Sequence, residues 1–295
     1  MLQSVQGYHL ELVRQPIQKV PPPELHLSEI AQQHIEAEVE KLIQKQAVLA
    51  VTAMPNQFVS SIFAVPKKDG SQRPVVNLKP LNTFVKKIHF KMEGVHMIKE
   101  LLRKDDWMVS IDLKDTYLSV PVTPIHRKYL RFNWRGQIYE FQCLPFGLSS
   151  APRTFTKVLR PVMAILRQRG MRSIIFIDDI LLIAQSPQEL LDQTREVTQL
   201  LQLPGFRINW EKSVLTPCQE ITYLGFLINS KLMMIYLPEK KRQAIIEDCR
   251  TALSQELVSV RTLARIIGRM TAAAQAIAIA PLHYRKLQYA KNSAF

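Results

Sequence analysis

The chain has 295 residues, 47% of them apolar, which excludes a disordered chain and provides for a sizeable core. Its 39 basic and 25 acidic residues leave a net charge of +14, which favours a polyanionic partner, nucleic acid first and an anionic membrane surface second. Cys143, Cys218 and Cys249 lack zinc-ligand spacing, no apolar stretch reaches bilayer length, and Met1 does not open a leader pattern; a cytoplasmic or nuclear, non-secreted, non-membrane chain is the expectation.

Residues 1–27 carry Pro16 and Pro21-Pro22-Pro23 and read as an extended arm rather than a packed element. A helix is predicted over 28–49, capped by Ser28, with Ile30, Ile35, Val39, Leu42 and Ile43 on one face. Residues 58–65 read as a strand, followed by a basic turn, Pro66 to Pro74, and a second strand from Val75. Asp69-Gly70 between them is a hairpin signal. Lys67, Lys68 and Arg73 on that turn either clamp a phosphate chain or are ordinary solvated charges.

Residues 107–122 form an apolar, strand-like run interrupted by Asp112, with Asp115 and Tyr117 close behind. Residues 129–143 read as a hairpin turning at Arg135-Gly136. Residues 144–152 form a loop opening a helix that Ser150 is expected to cap, with a kink at Pro161 and an end at Gly170. Residues 173–184 hold Asp178-Asp179 between two short β-branched runs, predicted to be a hairpin with the aspartates at its tip. This stretch alone leaves two readings, a plain Asp-Asp turn or a site for a divalent cation. Ser186 to Glu189 forms a capping box for the next helix, which stops at Pro204-Gly205. Strands are predicted over 206–210, 221–228 and 232–237, and basic helices from Pro238 onward. Interleaved helices and strands with antiparallel turns make the class α+β.

An ionised, unpaired aspartate inside an apolar strand is costly. If the strands of Asp112 and Asp178-Asp179 are neighbours in one sheet, their carboxylates converge and suit two divalent cations, the arrangement of phosphoryl-transfer sites. In a basic chain this points to nucleotidyl transfer on nucleic acid.

Six segments in order resemble the motifs of reverse transcriptases. They are Val65 to Gly70 with Arg73, Ser110 to Tyr117, Leu144 to Pro152, Phe176 to Asp179, Asn209 to Lys212, and Tyr223 to Phe226. Arg127 to Phe132, with residues 144–156 and 176–186, looks most like DIRS-type retroelements, with gypsy-like elements next. The resemblance covers about residues 8–290. It implies a right-hand polymerase with an N-terminal arm and helix over 1–50, fingers over 51–106, a palm over 107–237 (with a fingers insertion near 123–142) and a helical thumb over 238–295.

The resemblance further implies an RNA-directed DNA polymerase using Mg²⁺ or Mn²⁺, two ions, on an RNA or DNA template with primer and deoxynucleoside triphosphates. Asp112, Asp178 and Asp179, with the Leu113 carbonyl, would hold the metals. Lys67, Lys68 and Arg73 would grip the triphosphate, with the Asp115 N–H beside it. Tyr117 would exclude a 2′-hydroxyl, Phe146 and Gly147 would pack near the nucleotide, and Lys212 would protonate the pyrophosphate. Tyr223, Leu224 and Gly225 would support the primer terminus. Relatives commonly have Tyr at Phe176, Asp at Asn77 and a small residue at Thr116, and carry a ribonuclease H domain that is not visible before Phe295. These departures motivate an alternative, a catalytically inactive nucleic-acid-binding remnant. Tyr117 argues against an RNA-directed RNA polymerase.

Overall fold

The computed structural model describes residues 7–66, 72–277 and 279–293. In chain order its elements begin with α1 (Glu29–Gln44), β1 (Val48–Val51), β2 (Val59–Ser60), β3 (Ile62–Pro66), β4 (Gln72–Val76), α2 (Lys79–Asn82) and α3 (Val95–Leu101). They continue with β5 (Trp107–Lys114), α4 (Pro124–Arg127), β6 (Arg131–Trp134), β7 (Gln137–Phe141), α5 (Ala151–Gln168), β8 (Arg172–Phe176), β9 (Asp179–Ala184) and α6 (Pro187–Gln202). They end with β10 (Arg207–Ile208), β11 (Val214–Cys218), β12 (Glu220–Tyr223), β13 (Phe226–Asn229), β14 (Met234–Tyr236), α7 (Glu239–Leu253), α8 (Val260–Ala273) and α9 (Ala280–Ser293). Two compact units result. The first comprises Met1–Met92, Leu113–Ala164 and Leu201–Arg207, the second Glu93–Asp112, Ile165–Leu200 and Ile208–Phe295.

In the first unit, the Ser28 hydroxyl accepts the Ala31 N–H and caps α1 as the sequence predicts. The helix ends earlier than expected. Gln46 takes φ +55°, outside helical geometry, and the chain leaves as β1 to pair with β7. The buried face is Ala31, Ile35 and Val39, whereas Ile30 and Ile43 are exposed, a correction to the predicted stripe. The four-stranded sheet runs β1-β7-β6-β2. Its β6–β7 hairpin turns at Arg135 and Gly136, both at positive φ, which suits a two-residue loop. Phe132 at its centre is fully buried between the rings of Tyr139 and Phe141. Arg131 is also buried, and the Glu140 carboxylate takes its Nε and Nη2 at 2.8 and 2.6 Å.

The predicted strand over 58–65 divides into β2 and β3, and β3 pairs with β4 so that Val65 faces Arg73. The N-terminal arm is extended but it does pack, contrary to expectation. Leu10 is buried, its N–H donates to His126 Nδ1 at 2.9 Å, and Tyr8 bridges Val122.

In the second unit β8 and β9 form the predicted hairpin, but only Asp178 lies at its tip, since Asp179 already pairs as the first residue of β9; β5 lies against β9. The sheet order is β10-β5-β9-β8, with β11 also on β5. β8 is thus an outer strand, and the Glu93 carboxylate accepts its Ile175 N–H at 2.9 Å while pairing with Arg167. The predicted strand over 221–228 is instead two strands, β12 and β13, because Leu224 and Gly225 take φ +48° and +74° and reverse the chain. That hairpin covers one sheet face. Ile221, Tyr223, Phe226 and Ile228 join Met108, Ile174, Leu181 and Ile183 in one apolar cluster. Asp106, fully buried, receives Arg172 Nη1 and Nη2 at 2.6 and 2.7 Å, and its main-chain carbonyl accepts the Ser230 hydroxyl at 2.5 Å. The C-terminal helices α7, α8 and α9 follow, with Ile266 and Ile267 buried and Leu253 exposed. Among the described residues no helix is long and apolar enough to cross a membrane.

Candidate active site

The second unit brings the three aspartates together. In the antiparallel pair β5–β9, Asp112 stands directly opposite Asp179. Opposed residues share a face, with Cβ atoms about 5 Å apart. Phe176 is also opposite Asp179, so the β8–β9 turn has two residues, Ile177 at φ +56° and Asp178. Burial pushes the Asp178 carboxyl up; its own N–H pulls it down, Asp112 raises it and Lys212 lowers it. Asp179 is pushed up to about 6, first by burial and then by Asp178 and Asp112, with Lys212 opposing.

These groups sense one another's charge, as the sequence reading requires. Among the described residues, however, no three His, Cys, Asp or Glu side chains are gathered closely enough to hold a metal ion by themselves. The donor set still fits a hard divalent ion such as Mg²⁺, which binds one or two carboxylates plus substrate phosphates rather than a closed protein cage. A cation there offsets the burial and, after it, the mutual repulsion that raise both carboxyls.

A turn that the sequence reading only partly found backs Asp112. The Asn209 N–H donates to the Asp112 carbonyl at 2.8 Å, and the Asp112 N–H donates to Ser213 Oγ at 3.0 Å. Ser213 Oγ in turn donates to the Asn209 carbonyl at 2.7 Å. Lys212 is exposed on this same turn, so its ammonium is carried on backbone tied to the Asp112 strand. Asn209 belongs to a recognisable motif, whereas Ser213 gives no signal in sequence. Tyr223 is buried and its hydroxyl points at the carbonyls of Asp179 and Ile174, at 3.0 and 3.3 Å. Leu224 and Gly225 form the tip of its hairpin, where Lys241 Nζ donates to the Gly225 carbonyl at 2.7 Å.

The first unit holds the predicted nucleotide residues that the structure describes; Lys67 and Lys68 lie outside the described residues. Arg73 is exposed on β4. Leu113 continues β5 beyond Asp112, and Asp115 at φ +55° ends it and starts a single 3₁₀ turn, Thr116–Ser119. Lys45 Nζ lies 2.9 Å from Asp115 Oδ1. Tyr117, on the 3₁₀ turn, packs its ring 5.0 Å from Phe146 and edge-on to the buried Phe155. Phe146 is 47% exposed, and so presents an aromatic surface to solvent. Gly147 at φ +93° gives the loop a conformation that other residues resist.

Asn82, which sequence reasoning missed, clamps that loop. Its Nδ2 donates to the Gly147 carbonyl at 2.9 Å and its Oδ1 accepts the Ser149 N–H at 2.8 Å. The expected cap at Ser150 is not made, since its buried hydroxyl has no hydrogen-bond partner. Asn77 donates its N–H to the Ser61 carbonyl at 2.8 Å and thereby continues the β3–β4 pairing.

Residues 65–228 match the family model described as "Reverse transcriptase (RNA-dependent DNA polymerase)". The chain belongs to the reverse transcriptase family. The match runs from β3 to β13 and so takes in all three aspartates, Tyr117, Phe146, Lys212 and Tyr223. Among curated proteins, the Transposon Tf2-3 and Tf2-4 polyproteins of Schizosaccharomyces pombe (strain 972 / ATCC 24843) are each 26% identical over 182 residues. The alignment spans 62% of this chain and 13% of each polyprotein. Both relatives are transposon polyproteins, and this chain matches only a small part of their length.

Among solved structures, a foamy viral protease-reverse transcriptase in complex with RNA/DNA hybrid has a TM-score of 0.78 at 20% identity, covering 97% of this chain and 37% of that one. A foamy viral protease-reverse transcriptase dRH in complex with ds DNA has a TM-score of 0.74 at 22% identity, covering 93% and 46%. The fold is the right-hand polymerase fold that the motif order predicts.

Proposed function

We propose that this chain is an RNA-directed DNA polymerase that extends a primer with deoxynucleotides. The observation that carries this reading is the opposition of Asp112 and Asp179 across β5 and β9, with Asp178 on the adjoining turn, inside a reverse transcriptase match. Asp112, Asp178 and Asp179, with the Leu113 carbonyl, would hold two Mg²⁺ or Mn²⁺ ions. Bound there, such ions activate an attacking oxygen and stabilise a leaving one.

The protein's own groups do the rest. Lys212 delivers a proton to the departing pyrophosphate. Lys67, Lys68 and Arg73 neutralise the triphosphate, the Asp115 N–H donates to it, and Phe146 and Gly147 bound the nucleotide. Tyr117 fills the space that a 2′-hydroxyl needs. Leu224 and Gly225 support the primer terminus, with Tyr223 beneath them. The basic helices α7 to α9, as a thumb, follow the duplex backbone, as the net charge of +14 favours. We assign the domain to a DIRS-type element on residues 127–132, 144–156 and 176–186. The three free cysteines fit a reducing, cytoplasmic or nuclear setting.

Primer extension on an RNA template with deoxynucleotides and Mg²⁺ or Mn²⁺, run beside Asp178→Asn, tests the reading. Extension that disappears in the variant supports it. A folded protein that binds the duplex but incorporates nothing is instead an inactive remnant.

A further inference from the structure

We propose that Tyr223 is a positioning residue for the Asp178–Asp179 turn, through its hydroxyl rather than through contact with a primer. The inference rests on the reading that the aspartates hold the metal ions. Strand periodicity puts Met108, Ser110 and Asp112 on one face of β5, and Asp179, Leu181 and Ile183 on the matching face of β9. The face therefore has two halves. Its apolar half, Met108, Leu181 and Ile183, is covered by the β12–β13 hairpin. Its polar half is the aspartate pair.

Tyr223 stands at the border. Its ring, 3% exposed, belongs to the apolar cover, and its hydroxyl passes beyond that cover to the main chain of Asp179. The O–H is shared between the Asp179 carbonyl at 3.0 Å and the Ile174 carbonyl at 3.3 Å, so it ties the two strands just below their turn. The turn itself has two residues, Ile177 at positive φ and Asp178, so a shift of the Asp179 main chain carries the Asp179 carboxylate and that of its turn neighbour Asp178 with it.

The support is itself held. The hairpin reverses through Leu224 and Gly225, and Lys241 of α7 donates to the Gly225 carbonyl at 2.7 Å. The hydroxyl thus acts from a fixed platform, which is how groups behind a metal ligand set its orientation.

The test compares the full chain with Tyr223→Phe, with Asp178→Asn, and with p-aminophenylalanine at position 223, which restores a donor. Direct Mn²⁺ binding is followed by the free-ion electron paramagnetic resonance signal, beside thermal melts, metal-free duplex affinity, and the Mg²⁺ dependence of primer extension. Expected is a roughly tenfold weaker Mn²⁺ affinity in Tyr223→Phe, with a matching rise in half-saturating Mg²⁺. Duplex affinity and the cooperative melt should be retained, and p-aminophenylalanine should restore metal affinity. Unchanged Mn²⁺ affinity in Tyr223→Phe, while Asp178→Asn weakens it, overturns this proposal and leaves the metal site standing. Unchanged affinity in Asp178→Asn overturns the metal reading beneath it. A Tyr223→Phe chain that loses its cooperative melt, or loses only duplex affinity, assigns Tyr223 a structural or primer-supporting role and overturns the proposal.

Discussion

Replacing Asp179 with Asn should stabilise the metal-free protein at neutral and alkaline pH. The Asp179 carboxyl is pushed up to about 6 from an ordinary value of 3.8, by burial first and then by Asp178 and Asp112. Between those values the folded chain holds more proton than the unfolded chain. Stability therefore falls as pH rises through this window, and the loss is complete above it. A shift of about two units sets a ceiling of about 3 kcal/mol. Asp179 retains some exposure, and solvent screening brings the figure to about 1–2 kcal/mol. Asn keeps the shape and removes the charge. The assay is urea unfolding of both proteins in a chelator from about pH 4 to about pH 8, read as the difference between them. This difference cancels the contributions that the two proteins share. It should be small at the acid end, rise through the window, and level off. Millimolar Mg²⁺ should then stabilise the native protein more than the variant and narrow the gap. A variant no more stable than the native chain at about pH 8 would refute the reasoning, because the cost of the Asp179 charge, from burial first and repulsion second, would then be absent.

Arg172→Ala leaves the fully buried Asp106 without its cation and should cost about 3–5 kcal/mol in urea unfolding; a cost below about 1 kcal/mol would mean that water already screens the pair. Asn82→Ala frees the Gly147 carbonyl and the Ser149 N–H, and should raise the nucleotide KM roughly threefold to tenfold with little change in Tm. An unchanged KM would show that the loop holds its shape unaided. Gly225→Ala forces a side chain into φ +74° and against Lys241, and should cost about 1–2 kcal/mol, or more if the lysine cannot move. Thermal melts of Gly225→Ala beside Gly136→Ala, where nothing lies near the added carbon, separate backbone strain from the clash.

The Asp-Asp hairpin was legible because its apolar, β-branched flanks mark two strands with a reversal at the aspartates, although only Asp178 lies in the turn and Asp179 opens β9. The β6–β7 turn was legible for a related reason, since Arg135-Gly136 separates two strand-like runs. The β12–β13 turn was not. It needs Leu224 in a left-handed conformation, which a leucine does not advertise, and Ile221 to Ile228 reads as one apolar run. The helix face over 28–49 was misjudged at Ile30 and Ile43 because the period alone does not say which stripe meets β3 and β4. The Asp106–Arg172 pair, the Ser213 support of Asp112 and the Asn82 clamp were hidden for one physical cause. Each joins residues far apart in the chain through side-chain hydrogen bonds, and no local pattern encodes that pairing.

Glu93 has a consequence for the state of the protein in concentrated solution. The run from Ser173 to Ala184 is the kind of segment that recruits other chains, being β-branched, apolar and free of proline. Its outer strand, β8, would offer open N–H groups to any passing strand. The Glu93 carboxylate already occupies the Ile175 N–H, and Arg167 fixes it there. A second chain adding along β8 would have to expel a charged group from its ion pair to bond the Ile175 N–H. One glutamate thus serves as a gatekeeper against self-association for the hairpin that carries the two aspartates.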